Sequence, residues 1–162
     1  MNHLEVMAAH DSLTGLLNHK AAKAQIIARL HEDEEKKFLL LIFDLDHFKL
    51  ANDTYGHLFG DEVLKFVSDK LRNNTRPVDI VARMGGDEFL IFMPYKDEIE
   101  PPVKRIFRLL STRYEKFNIS VSMGISCAKD CGGSYDTLFH MADEALYEVK
   151  RGGRNNYCFY HK

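Results

Sequence analysis

Two acidic pairs define the chemistry open to this chain. Asp44 and Asp46 close the apolar run "FLLLIFDLD", and Asp87 and Glu88 follow two glycines in "RMGGDEFLIF", Arg83 to Phe92. Adjacent carboxylates repel and are costly to desolvate unless a cation or hydrogen-bond donors compensate. The plain alternatives are a solvated acidic turn for the second pair and helix capping for the first. Strand side chains alternate, so Asp44 and Asp46 should emerge on one side of a strand end. Leu45 then points away, while its backbone carbonyl remains available to a cation. If the glycine turn pairs beside this strand, it brings Asp87 or Glu88 near Asp44. Carboxylates from two strands plus a carbonyl make a hard-oxygen set suited to Mg²⁺, with water and phosphate oxygens completing it. Such a site serves phosphoryl transfer.

The elements around these acids must hold them together. "FLLLIFDLD" has the length and continuity of a central strand buried on both faces. "DIVARM" and "EFLIFMP" read as two strands joined through Gly85 and Gly86, where only glycine takes φ > 0 without strain. Helical spacing runs from Leu17 to about Lys37, ending in the charged "HEDEEKK". "DTYGHLFGDEVLKFVSDKLRNNTRP" reads as one helix, and "EIEPPVKRIFRLLSTRYEKF" as another that begins with prolines. "NISVSMGIS" alternates as a strand does, "SYDTLFHMADEALYEVKRGG" is a helix stopped by Gly-Gly, and "NNYCFY" is a last short strand. The opening "NHLEVMAAHD" is amphipathic but too short to stand as an independent helix. Residues 1–10 are therefore expected to be the end of a linker helix, and residues 11–162 one α+β domain with helices against its sheet.

Bulk properties narrow the function classes. The chain has 162 residues, 45% hydrophobic and 28% charged, within the range of one globular domain. A formal net charge of −2 predicts no long-range attraction to nucleic acid or an acidic membrane. No apolar run approaches a membrane span, and no signal-peptide core opens the chain. Cys127, Cys131 and Cys158 are too few for a disulfide framework, and Cys127-x-x-x-Cys131 lacks the second pair a structural zinc needs. A cytoplasmic protein with reduced thiols is the expectation.

Five blocks in series, "DSLTGLLNHK", "FDLDHFKLANDTYGHLFGDEVL", "RMGGDEFLIF", "VSMGIS" and "ADEALYEVKRGGRNNY", make the chain resemble a GGDEF domain, the catalytic domain of diguanylate cyclases, over nearly its full length. That resemblance implies a fold like the nucleotidyl cyclase core and polymerase palm, with a central five-stranded sheet surrounded by helices. It implies GTP as substrate and cyclic di-GMP as product, with Mg²⁺ (or Mn²⁺) held by Asp44, the Leu45 carbonyl and Asp87. Asp87, with Glu88, would help activate the ribose 3′-hydroxyl. Gly85 and Gly86 would let the turn lie close to the nucleotide, where a β-carbon would intrude. Asn52 and Asp61 match the guanine-reading positions; a carboxylate can accept from guanine N1–H and N2–H₂. The backbone of His47, Phe48 and Lys49 would cradle phosphates, and Lys150 and Arg154 would balance their charge. Helix caps for Asn52 and Asp61, and surface charges for the basic residues, are the bland alternatives.

The resemblance extends to regulation. "RPVD", Arg76 to Asp79, stands where the family carries an RxxD inhibitory product site, a guanidinium fork beside a carboxylate. A more distant arginine often completes that site, and spacing leaves Arg105 and Arg108 both open. Where the family usually has "NRR", this chain has Asn18-His19-Lys20, which puts cross-domain inhibition through an arginine there in question. The implied assembly is an antiparallel homodimer, each 3′-hydroxyl attacking the other GTP, with a sensory domain upstream in a parent protein. The chain begins just before the first block, as an excised domain or a minimal protein would. A non-catalytic module that senses GTP or cyclic di-GMP is the competing reading, against which the intact Asp44, Asp87 and Glu88 argue.

Overall fold

All eight residues of β2, Phe38–Leu45, are buried, because helices cover the strand on both faces. Leu39, Leu41, Phe43 and Leu45 pack in one cluster with residues of the helices α4 (His57–Asn73) and α5 (Glu100–Leu110). Phe38, Leu40 and Ile42 pack in the other with α2 (His19–Glu32) and α6 (Tyr135–Arg151). The computed structural model describes residues 2–32, 37–128 and 133–161. Most of the charged run after Glu32, and Cys131, lie outside them. Among the described residues no helix is long and apolar enough to cross a membrane.

β2 is central. It pairs antiparallel with β4 (Glu88–Pro94) and with β7 (Val121–Cys127). β3 (Ile80–Gly85) lies antiparallel outside β4, and β8 (Asn156–Phe159) lies parallel outside β7. These are the five strands expected of the sheet. A two-residue strand, β1 (Leu17–Asn18), adds a sixth at the β3 edge. Gly124 of β7 is the point where α6 rests on the sheet: a Cβ there would lie 2.1 Å from the Ala142 carbonyl and 2.4 Å from the Leu146 nitrogen.

The structure corrects two boundaries read from sequence. The segment taken as one helix from Asp53 is the end of α3 (Phe48–Tyr55) followed by α4, broken at Gly56 with φ +95°. The helix expected to reach Phe117 stops at Leu110; Thr112–Tyr114 and Phe117–Ile119 form a separate hairpin, β5 and β6. The Tyr114 ring packs on Phe59 and Phe66 of α4, and its hydroxyl donates to Glu62, so tertiary contact decides that segment. The opening residues form α1 (His3–Ala9) with an Asn2–Glu5 capping box.

One ion pair ties this N-terminal segment to the glycine turn. The Asp11 carboxylate accepts from the Thr14 amide and hydroxyl and, at 3.1 Å, from Arg83 Nη1. Arg83 Nε donates in turn to the Gly86 carbonyl at 2.9 Å. Burial would raise the Asp11 pKa, but the bonds from Thr14 and Arg83 outweigh it and hold the carboxyl below its ordinary range.

Two stability outcomes are expected. Gly124→Ala forces α6 off β7 and should cost about 3 kcal/mol in urea unfolding, as overpacking does. Asp11→Asn should cost about 1–3 kcal/mol at neutral pH, the range of a charge-assisted bond. Because the folded pKa of Asp11 is lowered, its stabilisation is present above the unfolded value and is lost as pH falls through the folded one. The stability gap between parent and Asp11→Asn should therefore close in acid, and a constant gap would show that charge plays no part.

Candidate active site

Asp44 sits at the end of β2, directly opposite Glu88 of β4 in the sheet register. It is buried, 9% exposed. Its Oδ2 meets Lys150 Nζ of α6 at 2.5 Å, while its Oδ1 is buried with no hydrogen-bond partner. Asp87 occupies the turn between β3 and β4, where Gly85 and Gly86 have φ +150° and +54°. The Leu45 amide donates to the Asp87 carbonyl at 3.3 Å, fixing the turn to the end of β2. Apart from the chain neighbours, no protein atom lies within 4 Å of a β-carbon built on either glycine, so the turn needs glycine for its backbone angles and is open above.

Three carboxylates thus gather around one lysine. Burial first, then the Asp44 charge, pushes the Asp87 carboxyl above its ordinary range. Burial, Asp44 and Asp143 do the same to Glu88, and Lys150 opposes both shifts. Such a cluster is short of positive charge. Among the described residues no group of three acidic, His or Cys side chains is arranged to hold a metal ion by itself. An orphaned carboxylate oxygen beside further acids fits instead an ion like Mg²⁺, which takes one or two carboxylates and completes its shell with water and phosphate oxygens.

Asp46 does not belong to that set, although it lies on the expected side. Its oxygens accept from Ser122 Oγ, which stands opposite Asp44 in the register, and from Ser120 Oγ and the Asn155 amide. It caps no helix: α3 begins after His47, which takes the left-handed conformation at φ 58° with no side-chain cap.

The remaining sequence candidates fall into two groups. His47, Phe48 and Lys49 form the entry to α3, with His47 and Lys49 exposed. Asn52 lies within α3 and Asp61 within α4, both half-buried, so neither is a helix cap. Gly60 was not recognised from sequence, and it is what seats Asn52: a Cβ there would fall 1.7 Å from Asn52 Oδ1. The glycine beside Asp61 in "FGD" was the available signal. Phe59 packs on Tyr55 and Tyr114, whereas His57 is exposed. Arg154 is exposed on the loop after α6, with φ 68°.

Arg76 and Asp79 lie elsewhere. Arg76 Nη2 meets Asp79 Oδ1 at 3.1 Å and donates to the Pro94 carbonyl at 3.0 Å. Pro94 is six residues along β4 from Glu88, about 20 Å at strand rise. Arg76 and Arg105 line one cavity of about 820 Å³, together with Tyr95 and Lys96. Arg108 lines a neighbouring cavity, not this one. His19 is held within the domain: its Nε2 meets the Tyr135 hydroxyl at 2.8 Å and its ring stacks on Phe139.

Comparison with known proteins places this geometry. The family model described as the diguanylate cyclase GGDEF domain matches residues 8–156. Diguanylate cyclase DgcP of Pseudomonas aeruginosa is 37% identical over 168 residues, 95% of this chain and 25% of that protein. The bifunctional diguanylate cyclase/cyclic di-GMP phosphodiesterase MucR of the same species is 35% identical over 162 residues, 95% of this chain and 24% of that protein. The chain therefore spans about a quarter of the length of either relative. Among solved structures, the GGDEF domain of DgcB from Caulobacter crescentus in complex with c-di-GMP is 33% identical, with a TM-score of 0.85, covering 96% of this chain and 94% of that one. With the acids of "GGDEF" gathered on Asp44 within such a fold, the chain belongs to the GGDEF family, that of the diguanylate cyclase domains.

Proposed function

We propose that this chain condenses two GTP molecules into cyclic di-GMP with release of pyrophosphate. The observation that carries the reading is the unpartnered, buried oxygen of Asp44, whose charge acts on Asp87 and Glu88 with Lys150, and at Asp87 also Arg83, to oppose it. Asp44, the Leu45 carbonyl and Asp87 would hold Mg²⁺, with Mn²⁺ chemically acceptable to the same oxygens. When bound, the ion offsets triphosphate charge and lowers the pKa of the attacking 3′-hydroxyl. Asp87, with Glu88 beside it, would take that proton. Asn52 and Asp61 would accept guanine N–H groups, which adenine does not present in the same pattern. The backbone of His47, Phe48 and Lys49 opens α3 and would direct its amides at phosphate oxygens. Lys150 and Arg154 supply the remaining positive charge.

One domain cannot orient two GTP molecules for mutual attack, so catalysis would need an antiparallel homodimer. In this reading residues 1–10 end a linker helix that joins the domain, residues 11–162, to an upstream regulatory unit in the cytoplasm.

A product-binding role rests on a separate observation, the cavity shared by Arg76 and Arg105. Asp79 is spent on the Arg76 backbone amide and guanidinium, so in this structure the arginines rather than the acid meet an anionic ligand there. Arg105, not Arg108, would complete the site.

Two measurements test these readings. The purified chain incubated with Mg²⁺ and GTP should yield cyclic di-GMP by chromatography. Asp87→Asn should remain folded and lose at least about a hundredfold in turnover, since it removes both a ligand charge and a base; near-parental synthesis would overturn the assignment. In calorimetry, Arg76→Ala and Arg105→Ala should each weaken cyclic di-GMP binding by about tenfold or more, with Arg108→Ala close to the parent. Equal binding by all three variants would reduce "RPVD" to a surface ion pair.

A further inference from the structure

Asp46 is the buried acid that the proposed chemistry leaves unused. It is 3% exposed, and among the described residues it has no ion-pair partner. A buried carboxylate without a counter-charge must be compensated by hydrogen bonds. Three donors do so: Ser122 Oγ at 2.6 Å on Oδ1, and Ser120 Oγ at 2.7 Å with the Asn155 amide at 3.0 Å on Oδ2. They come from the β6–β7 junction, from β7 itself, and from the loop between α6 and β8.

That loop is strained. Gly153, Arg154 and Asn155 have φ of +111°, +68° and +48°, so two residues with side chains follow one another in the left-handed region. L-residues rarely adopt it, and it persists only where surrounding contacts impose it. Two bonds do that here: the Arg154 amide donates to the Val149 carbonyl at 3.0 Å, and the Asn155 amide donates to Asp46. Lys150, the residue after the Val149 acceptor of the first bond, is itself fixed on Asp44. Asp46 therefore joins the strand end that carries Asp44 to the loop that carries Arg154.

We propose that Asp46 is a positioning residue for triphosphate binding, holding the Arg154–Asn155 turn in register with Asp44 and Lys150, and not a metal ligand. The inference rests on the reading that Lys150 and Arg154 face the triphosphate. Its chemical signature is that the carboxylate's shape matters more than its charge. In Asp46→Asn the amide oxygen can replace Oδ2, accepting from Ser120 and Asn155, while its NH₂ donates to Ser122, whose hydroxyl accepts as readily as it donates. Asp46→Ala and Asp46→Ser cannot reach Asn155 at all.

The test uses the full chain, Mg²⁺ and inorganic triphosphate in calorimetry, with GTP kinetics alongside. Asp46→Ala should weaken triphosphate binding by about tenfold and raise KM for GTP more than it lowers kcat, as loss of one charge-assisted tether would. Asp46→Asn should recover most of that loss. Arg154→Ala should weaken binding in the parent but cost little more in Asp46→Ala, since coupled residues are not additive. Hydrogen exchange at the Asn155 amide should speed up in Asp46→Ala or, if that variant does not fold, in Asp46→Ser. Asp46→Asn binding as weakly as Asp46→Ala would show that the charge itself is needed and would overturn the proposal. So would an Asn155 amide that stays protected without the carboxylate, or full additivity with Arg154→Ala. A parent chain whose triphosphate binding ignores Arg154→Ala overturns the reading beneath it, a result distinct from parental binding by Asp46→Ala, which overturns the tether alone.

Discussion

Lys150 neutralises one oxygen of Asp44 and leaves the other buried and unbonded, and the Asp44 charge, after burial, raises the pKa of both Asp87 and Glu88. A domain gains nothing in stability from such an arrangement. Each uncompensated buried charge disfavours the folded state, and removing the like charges would relieve it. The sheet tolerates the cluster because β2 is anchored over its whole length: eight buried residues, paired on both sides, with Phe43 stacked on Phe89 at 5.5 Å just behind the acids. A cation bound here would relieve repulsion that the fold itself builds in. The free energy stored in that repulsion becomes binding free energy for whatever brings positive charge.

The acids also need to be held at fixed angles, and the fold does this with polar tethers placed where the strands end. Arg83 fixes the glycine turn from outside, through Asp11 and the Gly86 carbonyl. The Leu45 amide fixes it from within, on the Asp87 carbonyl. Asp46 holds the opposite wall. Apolar packing could not substitute for these contacts, since it is non-directional and tolerates small shifts that a metal-phosphate geometry does not. Gly60 works by subtraction, leaving the space Asn52 fills.

Much of this was legible in the sequence, and the rest failed for identifiable reasons. β2 was readable because an uninterrupted apolar run of strand length has few other uses, and the β3–β4 turn because Gly85-Gly86 separates two apolar runs. Asp44, Asp87 and Glu88 could be paired once both strands were placed. The break at Gly56 was missed because "DTYGHLFGDEVL" keeps helical spacing on both sides of it, and a mid-helix glycine is tolerated often enough to be passed over. The β5–β6 hairpin was missed because its conformation is set by Tyr114 reaching Phe59, Phe66 and Glu62, contacts remote in sequence. Asp46 was placed on the correct side, but its partners lie 74, 76 and 109 residues away, beyond any local pattern.

The net charge of −2 conceals a separation of charge along β4. At the Glu88 end three acids surround a single lysine. At the Pro94 end, about 20 Å away by strand rise, Arg76, Lys96 and Arg105 line one cavity, which Asp97 and Glu98 line too, and Asp79 pairs with Arg76. Interactions across that distance are screened at ordinary ionic strength, so the two ends act as separate fields. An anionic ligand without a metal would be repelled from the first and attracted to the second. In the proposed function a triphosphate carrying its own divalent cation would reverse that preference, because the unbonded Asp44 oxygen would help to hold the metal. In the proposed function, two guanine nucleotides with the same base would be told apart by the source of the neutralising charge, the protein's arginines at one end and a divalent ion at the other.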